Sequence, residues 1–116
     1  MHVRRSETLD GCELVWADGE ITVDGAIDQA NAGTITERLC AAIITGAVTL
    51  VDFSRVTFFS AAGLHLLEAV AVAARAADAI VRVRCSAPVW LILDLCETAE
   101  LPGLVLDRHP EPDGTW

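Results

Sequence analysis

Residues 48–77 read VTLVDFSRVTFFSAAGLHLLEAVAVAARAA, and a change of period inside this stretch decides the fold class. The run VTLVDF is apolar on both alternating faces until Asp52, which suits a strand covered on both sides by helices. After a short loop a helix starts near Ser60. Leu66, Leu67, Val70, Ala73, Ala74 and Ala77 recur at helical spacing, while His65, Glu68 and Arg75 mark another face. A buried strand, a loop and an amphipathic helix predict an α/β domain. The helix start then lies at the carboxyl end of the strand, the usual place for ligands and partners in open α/β sheets.

Working outward, Glu13 to Ala17 and Glu20 to Val23 read as two short strands joined by Asp18-Gly19, a tight-turn dipeptide. Gly25-Ala26-Ile27-Asp28 leads to a helix from about Ala30 to Ile44, with Ile35, Leu39, Ala42 and Ile43 on its apolar face and Thr45-Gly46 as its stop. On the other side, Ala79 to Cys85 alternates as a strand, with Ile80 or Val81 and Val83 inward and Arg82 and Arg84 exposed. Ser86 is a natural N-cap and Pro88 suits a first turn, so Val89 to Leu95 continues as a helix. Leu104 to Leu106 adds an edge strand. The expectation is a single domain over residues 9–109, a mixed four- to five-stranded sheet packed with helices. Residues 1–8 are expected to fray and residues 110–116 to form a mobile tail.

The chain has 116 residues, 53% hydrophobic and 22% charged, which suits one globular core. The most apolar stretch, Ala61 to Ala77, is interrupted by His65, Glu68 and Arg75, so no membrane span is expected. Arg4 and Arg5 are followed by Glu7, Asp10 and Glu13 rather than by the apolar core of a secretory signal. A cytoplasmic location is the expectation. The net charge of −9 repels phosphate backbones and removes the electrostatic term that dominates nucleic-acid affinity. DNA and RNA are not expected partners.

All eight basic residues are arginine. Without lysine there is no P-loop lysine, no Schiff-base amine and no lysine to accompany a phospho-acceptor aspartate, so Asp52 is not read as one. No glycines fall into a dinucleotide-binding spacing, and no cofactor is expected. Cys12, Cys40, Cys85 and Cys96 are far apart, with no paired spacing for zinc; they read as buried small hydrophobes in a reducing compartment. His2 and His109 lie in terminal segments and His65 on an exposed helix face, so no base accompanies a nucleophile. The chain reads as a non-enzyme, with no catalytic residue and no metal site.

The order of elements and four local motifs resemble the STAS domain, the fold of bacterial anti-sigma factor antagonists, over about Glu13 to Asp107. Gly25-Ala26-Ile27-Asp28 matches the family's turn of glycine, acid, leucine and aspartate. Leu50-Val51-Asp52-Phe53-Ser54 matches its apolar strand ending in Asp-Leu-Ser. Ser60-Ala61-Ala62-Gly63-Leu64 matches its Asp-Ser-Ser-Gly-Leu loop, and Ser86 to Leu95 its late helix.

The resemblance implies a regulator that binds an anti-sigma factor, usually a serine kinase, through this loop and helix start. The kinase then ends the interaction by phosphorylating the second serine. Here that position is Ala62, which has no hydroxyl to modify. The expected partner-binding set is Asp28, Phe59, Ser60, Ala61, Ala62, Gly63 and Leu64. Of Phe58 and Phe59, one is expected in the core and the other near the surface as an anchor. Ser60 reads first as an N-cap, and second, with Thr57, as a displaced phospho-acceptor. An accessory subunit of an ABC-type lipid-transport ATPase is the alternative that the resemblance leaves open.

Overall fold

The computed structural model describes residues 5–98 and 100–108. From the N-terminus its elements are β1 (Arg5–Leu9), β2 (Cys12–Ala17), β3 (Gly19–Ile27), α1 (Ala32–Ile44), β4 (Val48–Phe59), α2 (Ala61–Ala76), β5 (Val81–Cys85), α3 (Ala87–Leu95) and β6 (Leu104–Arg108). The strands lie side by side in chain order. β1, β2 and β3 form an antiparallel meander, and β3 to β6 run parallel with one helix in each connection. The α/β class and the mixed sheet agree with the sequence reading, and β6 is the expected edge strand.

Period-two burial gives the sheet two unlike faces. Ile21, Val51 and Val83 stand in one row across β3, β4 and β5. With Leu14, Val23, Phe53, Val81 and Cys85 they are buried in the core that also holds Ile35, Leu39 and Ile43 of α1, Leu66, Leu67 and Val70 of α2, and Val89 and Leu93 of α3. The next row is Thr22, Asp52, Arg84 and Asp107. That second face is tiled by ion pairs: Arg84 to Asp52 at 3.5 Å, Arg82 to Asp107 at 2.9 Å and Arg55 to Asp24 at 3.8 Å. Cover on both sides, expected from VTLVDF, is therefore corrected. Among the described residues only one face is covered, and Leu50 on the other stays half-buried beside charged neighbours.

The expected loop after Phe53 is absent, because β4 continues unbroken to Phe59. The pairing of β4 with β3 slips three times, between Gly19 and Glu20, between Thr22 and Asp24, and between Gly25 and Ala26. Each slip is a β-bulge that shifts the alternation by one residue, so SRVTFF carries no strand period to read. The Asp52 carboxylate stabilises the middle bulge by accepting the Ser54 N–H at 2.8 Å.

Among the described residues the expected four to five strands become six. β1 takes up Arg5–Thr8, where fraying was expected, by pairing antiparallel along its length with β2, and its Glu7 is in addition held by Arg38 of α1 through bonds of 2.9 and 3.0 Å. Residues 1–4 and the expected tail at 110–116 lie outside the described residues. α1 starts at Ala32, two residues later than expected, because Asp28 to Asn31 form a turn of their own. Val81, not Ile80, is the inward residue opening β5. Ser86 does precede α3 with Pro88 in the first turn, but its hydroxyl donates to the Val56 carbonyl at 2.7 Å instead of capping the helix. Among the described residues no helix is long and apolar enough to cross a membrane.

Candidate functional site at the ends of β3 and β4

Ile27 and Phe59, the last residues of β3 and β4, are register partners, and the Ser60 N–H donates to the Ile27 carbonyl at 3.2 Å. Two helices therefore begin side by side, α1 after Asp28 and α2 after Ser60, at the carboxyl end of the parallel strands. The sequence-expected residues Asp28, Ser60, Ala61, Ala62, Gly63 and Leu64 are brought to this end.

Each has a distinct local role. Ser60 is extended (φ −99°, ψ −179°) and its hydroxyl accepts the Ala62 N–H at 3.2 Å, the expected N-cap. Ala61 is exposed, Ala62 half-buried, and Leu64 rests against the core. Gly63 is buried under the Phe59 ring; a Cβ there would stand 2.5 Å from Phe59 Cε1. Phe59 is 3% exposed and its ring lies 6.1 Å from that of Phe53. Its expected place in the partner-binding set is thus corrected: Phe59 is core, packed against the equally buried Gly63. Phe58 is the aromatic left outside, 53% exposed.

The cause is the third bulge. Gly25 pairs with Val56 and Ala26 with Phe58, leaving Thr57 as the extra residue. A regular strand would have sent Phe58 and Val56 to the same side; the bulge turns Phe58 outward and restores Phe59 to the core. Thr57 is exposed beside it.

Asp28 is committed to the turn before α1, where its Oδ1 accepts the N–H groups of Ala30 at 2.9 Å and Asn31 at 3.3 Å. Asn31, absent from the expected set, is the residue that organises this corner. It is 2% exposed. Its Oδ1 accepts the Asp28 N–H, and its Nδ2 donates to the Asp10 and Ala26 carbonyls, each at 2.8 Å. The β1–β2 turn, the end of β3 and the start of α1 are thereby joined through one side chain. The signal from which Asn31 was legible is its place immediately before α1, at an N-cap position where asparagine is favoured.

His65 pairs with Glu68 at 3.2 Å on the exposed side of α2. No group of three or more metal-ligating side chains occurs among the described residues. Three cysteines fit the expected inert role. Burial pushes the Cys85 thiol up to about 12, with Asp107 adding to it, and also raises Cys12, with Asp28 adding, and Cys40. Cys96 is corrected: it caps the C-terminus of α3 and is exposed, because the apolar residues around it on that helix do not all face the core.

A family model described as STAS domain matches residues 8–102. Two solved structures are similar along most of the chain. The anti-sigma factor antagonist SpoIIAA in its unphosphorylated form is 17% identical, with 89% of this chain and 87% of that one covered and a TM-score of 0.55. An anti-sigma factor antagonist from Mycobacterium paratuberculosis is 19% identical, with 97% and 89% covered and a TM-score of 0.57. At these identities the likeness shows the fold alone. No curated protein matches the sequence.

Proposed function

This chain belongs to the STAS domain family, and on that premise we propose that it is a non-enzymatic regulator, an anti-sigma factor antagonist that binds an anti-sigma factor of the serine-kinase type in the bacterial cytoplasm. The binding surface is the end of the molecule where α1 and α2 begin, with Asp28, Phe58, Ser60, Ala61, Ala62 and Leu64 on it and Gly63 supporting it from below. The observation that carries this reading is the bulge at Thr57, which turns the Phe58 ring outward, 53% exposed, two residues before the cap of α2. Aromatic side chains at the centre of an interface supply much of its binding energy. The two solved structures described as anti-sigma factor antagonists add support at the level of the fold.

No catalytic role for Ser60 is part of the proposal. Its hydroxyl is occupied by the Ala62 N–H, and the nearby histidine of α2 pairs with Glu68. Ala61 and Ala62 have no hydroxyl, so phosphorylation at the family's usual position is chemically excluded. The protein either binds its partner without that switch or is modified at another hydroxyl on the same surface. Ser60 and Thr57 are the two there, and Thr57 is the more exposed.

Affinity capture from native lysate, followed by mass spectrometry, tests the reading. Recovery of an anti-sigma factor, lost on Phe58→Ala, is the expected result. Recovery of a lipid-transport ATPase with no anti-sigma factor overturns it. Incubation of the captured pair with ATP and intact-mass measurement then reads the regulation: an added phosphate that disappears in Thr57→Ala or Ser60→Ala locates the acceptor.

A further inference from the structure

We propose that residues 109–116 of this chain dock on the outer side of α3, with Pro110 and Pro112 in the groove between α3 and Arg108 and Trp116 on Leu91 and Leu95. α3 reads APVWLILDL, with Asp94 its one polar residue. A helix that is apolar all round belongs to a buried place, yet only part of α3 meets the core. Val89 and Leu93 are buried, whereas Ala87, Leu91 and Leu95 recur every fourth residue on the exposed side, the two leucines 58% and 69% exposed. Residues at that spacing stand one above another. An apolar stripe therefore runs the length of the helix.

Beside the stripe is a groove of about 480 Å³, lined by Ala87, Pro88, Trp90, Leu91, Asp94 and Arg108. The Arg108 guanidinium lies 4.9 Å from the centre of the Trp90 ring and 3.9 Å from the Asp94 carboxylate. Those two charges offset each other, so the groove selects by shape and apolar contact. Aromatic-lined grooves of this kind take extended, proline-bearing segments.

Chain continuity selects the occupant. Arg108 lines the groove and is followed directly by HPEPDGTW, residues 109–116. Eight extended residues reach about 26 Å, while the nine residues of α3 span about 14 Å, so the segment is long enough to cross the groove and reach Leu95. Tethered at the rim, it is present at an effective concentration on the order of millimolar, against which any free occupant must compete. Its residues suit the site. Each proline fixes its own φ and keeps the residue before it extended. In an extended course Pro110 and Pro112 share one side and His109 and Glu111 the other, so the prolines meet Trp90 and Leu91 while Glu111 points away from Asp94. Asp113-Gly114 is a turn dipeptide, and Trp116 beyond it supplies the large apolar surface for the stripe.

Amide chemical shifts of the full chain, compared with those of a chain ending at Arg108, test the proposal. Truncation is expected to shift the amides of residues 87–95 and to leave those of β1 to β4 in place. In the full chain the amides of residues 111 and 113–116 should stand away from random-coil values. Leu91→Glu and Leu95→Glu, both at exposed positions of the full chain, should return them to random-coil values with the sheet amides unmoved, which keeps the test valid if the shortened chain fails to fold. Random-coil shifts for residues 113–116 in the parent overturn the proposal, as does a segment indifferent to both glutamates. Sedimentation at twice 12.4 kDa, with α3 amides indifferent to truncation, assigns the stripe to a second copy and overturns it too.

Discussion

Asp28 and Asn31 hold each other reciprocally: each backbone N–H donates to the other's side-chain oxygen, at 3.0 Å to Asn31 and 3.3 Å to Asp28. Because Asn31 also holds the Asp10 and Ala26 carbonyls, the pair fixes where α1 begins relative to the hairpin and to β3. Asn31→Ala leaves buried backbone groups without partners and should cost about 2–4 kcal/mol in denaturant unfolding. Asp28→Ala, at a half-buried position with fewer bonds, should cost about 1 kcal/mol. An equal loss for the two would remove Asn31 from its organising role.

Gly63 and the Phe59 ring occupy one space. Gly63→Ala drives a Cβ into the ring and should destabilise the fold by about 1–3 kcal/mol, less the roughly 1 kcal/mol that alanine gains over glycine in a helix. Thermal melts of Gly63→Ala with and without Phe59→Leu check the cause. The smaller leucine should recover part of the loss.

Ser60→Ala and Ala62→Asp should act on different quantities. Loss of the cap costs about 1 kcal/mol of stability and leaves partner affinity largely intact. An aspartate at position 62 lies in the first turn of α2, where the helix dipole favours it by about 0.3–1 kcal/mol, yet it places charge in the proposed interface. Stability should rise while affinity falls, a combination that a folding defect does not produce. Calorimetry for folding and titration against the partner give the two readouts.

Phe58→Ala should weaken partner binding by about 2 kcal/mol or more with little change in unfolding, as its ring is mostly in solvent. Phe59→Ala should do the reverse, costing about 3–5 kcal/mol of stability. Loss of binding in Phe59→Ala alone, measured where that variant is still folded, would reassign the anchor.

Acid should loosen β1. The Arg38 hydrogen bond holds the Glu7 carboxyl below its ordinary value of 4.5. The folded state thus binds this proton less readily than the unfolded chain, and the contribution of the pair is complete above that ordinary value and lost as pH falls through the lower folded one. Glu7→Gln should be less stable than the parent at neutral pH and converge with it in acid. Hydrogen exchange of β1 amides across this range reads the effect locally.

The hairpin, both long helices and the parallel core were legible because each rests on a local signal. Asp18-Gly19 carries its own turn chemistry, and Ile35, Leu39 and Ile43 carry the period of a helix that buries one side. β1 was not legible, since a polar strand held by Arg38 has no pattern of its own to display. The end of β4 was hidden for a related reason: three bulges shift its alternation, and bulges are defined by the neighbouring strand.

At the candidate site the sequence by itself determined the chemistry. Ala61 and Ala62 lack a hydroxyl, Ser60 is a residue that caps helices, and the absence of lysine removes whole classes of reaction whatever the fold. Which of Phe58 and Phe59 is exposed, and which face of the sheet stays open, is set by tertiary pairing and could not be read from the chain alone. The choice depends on register against β3, where one unpaired residue at Thr57 reverses the direction of a side chain, and register is a relation between two strands that neither contains alone.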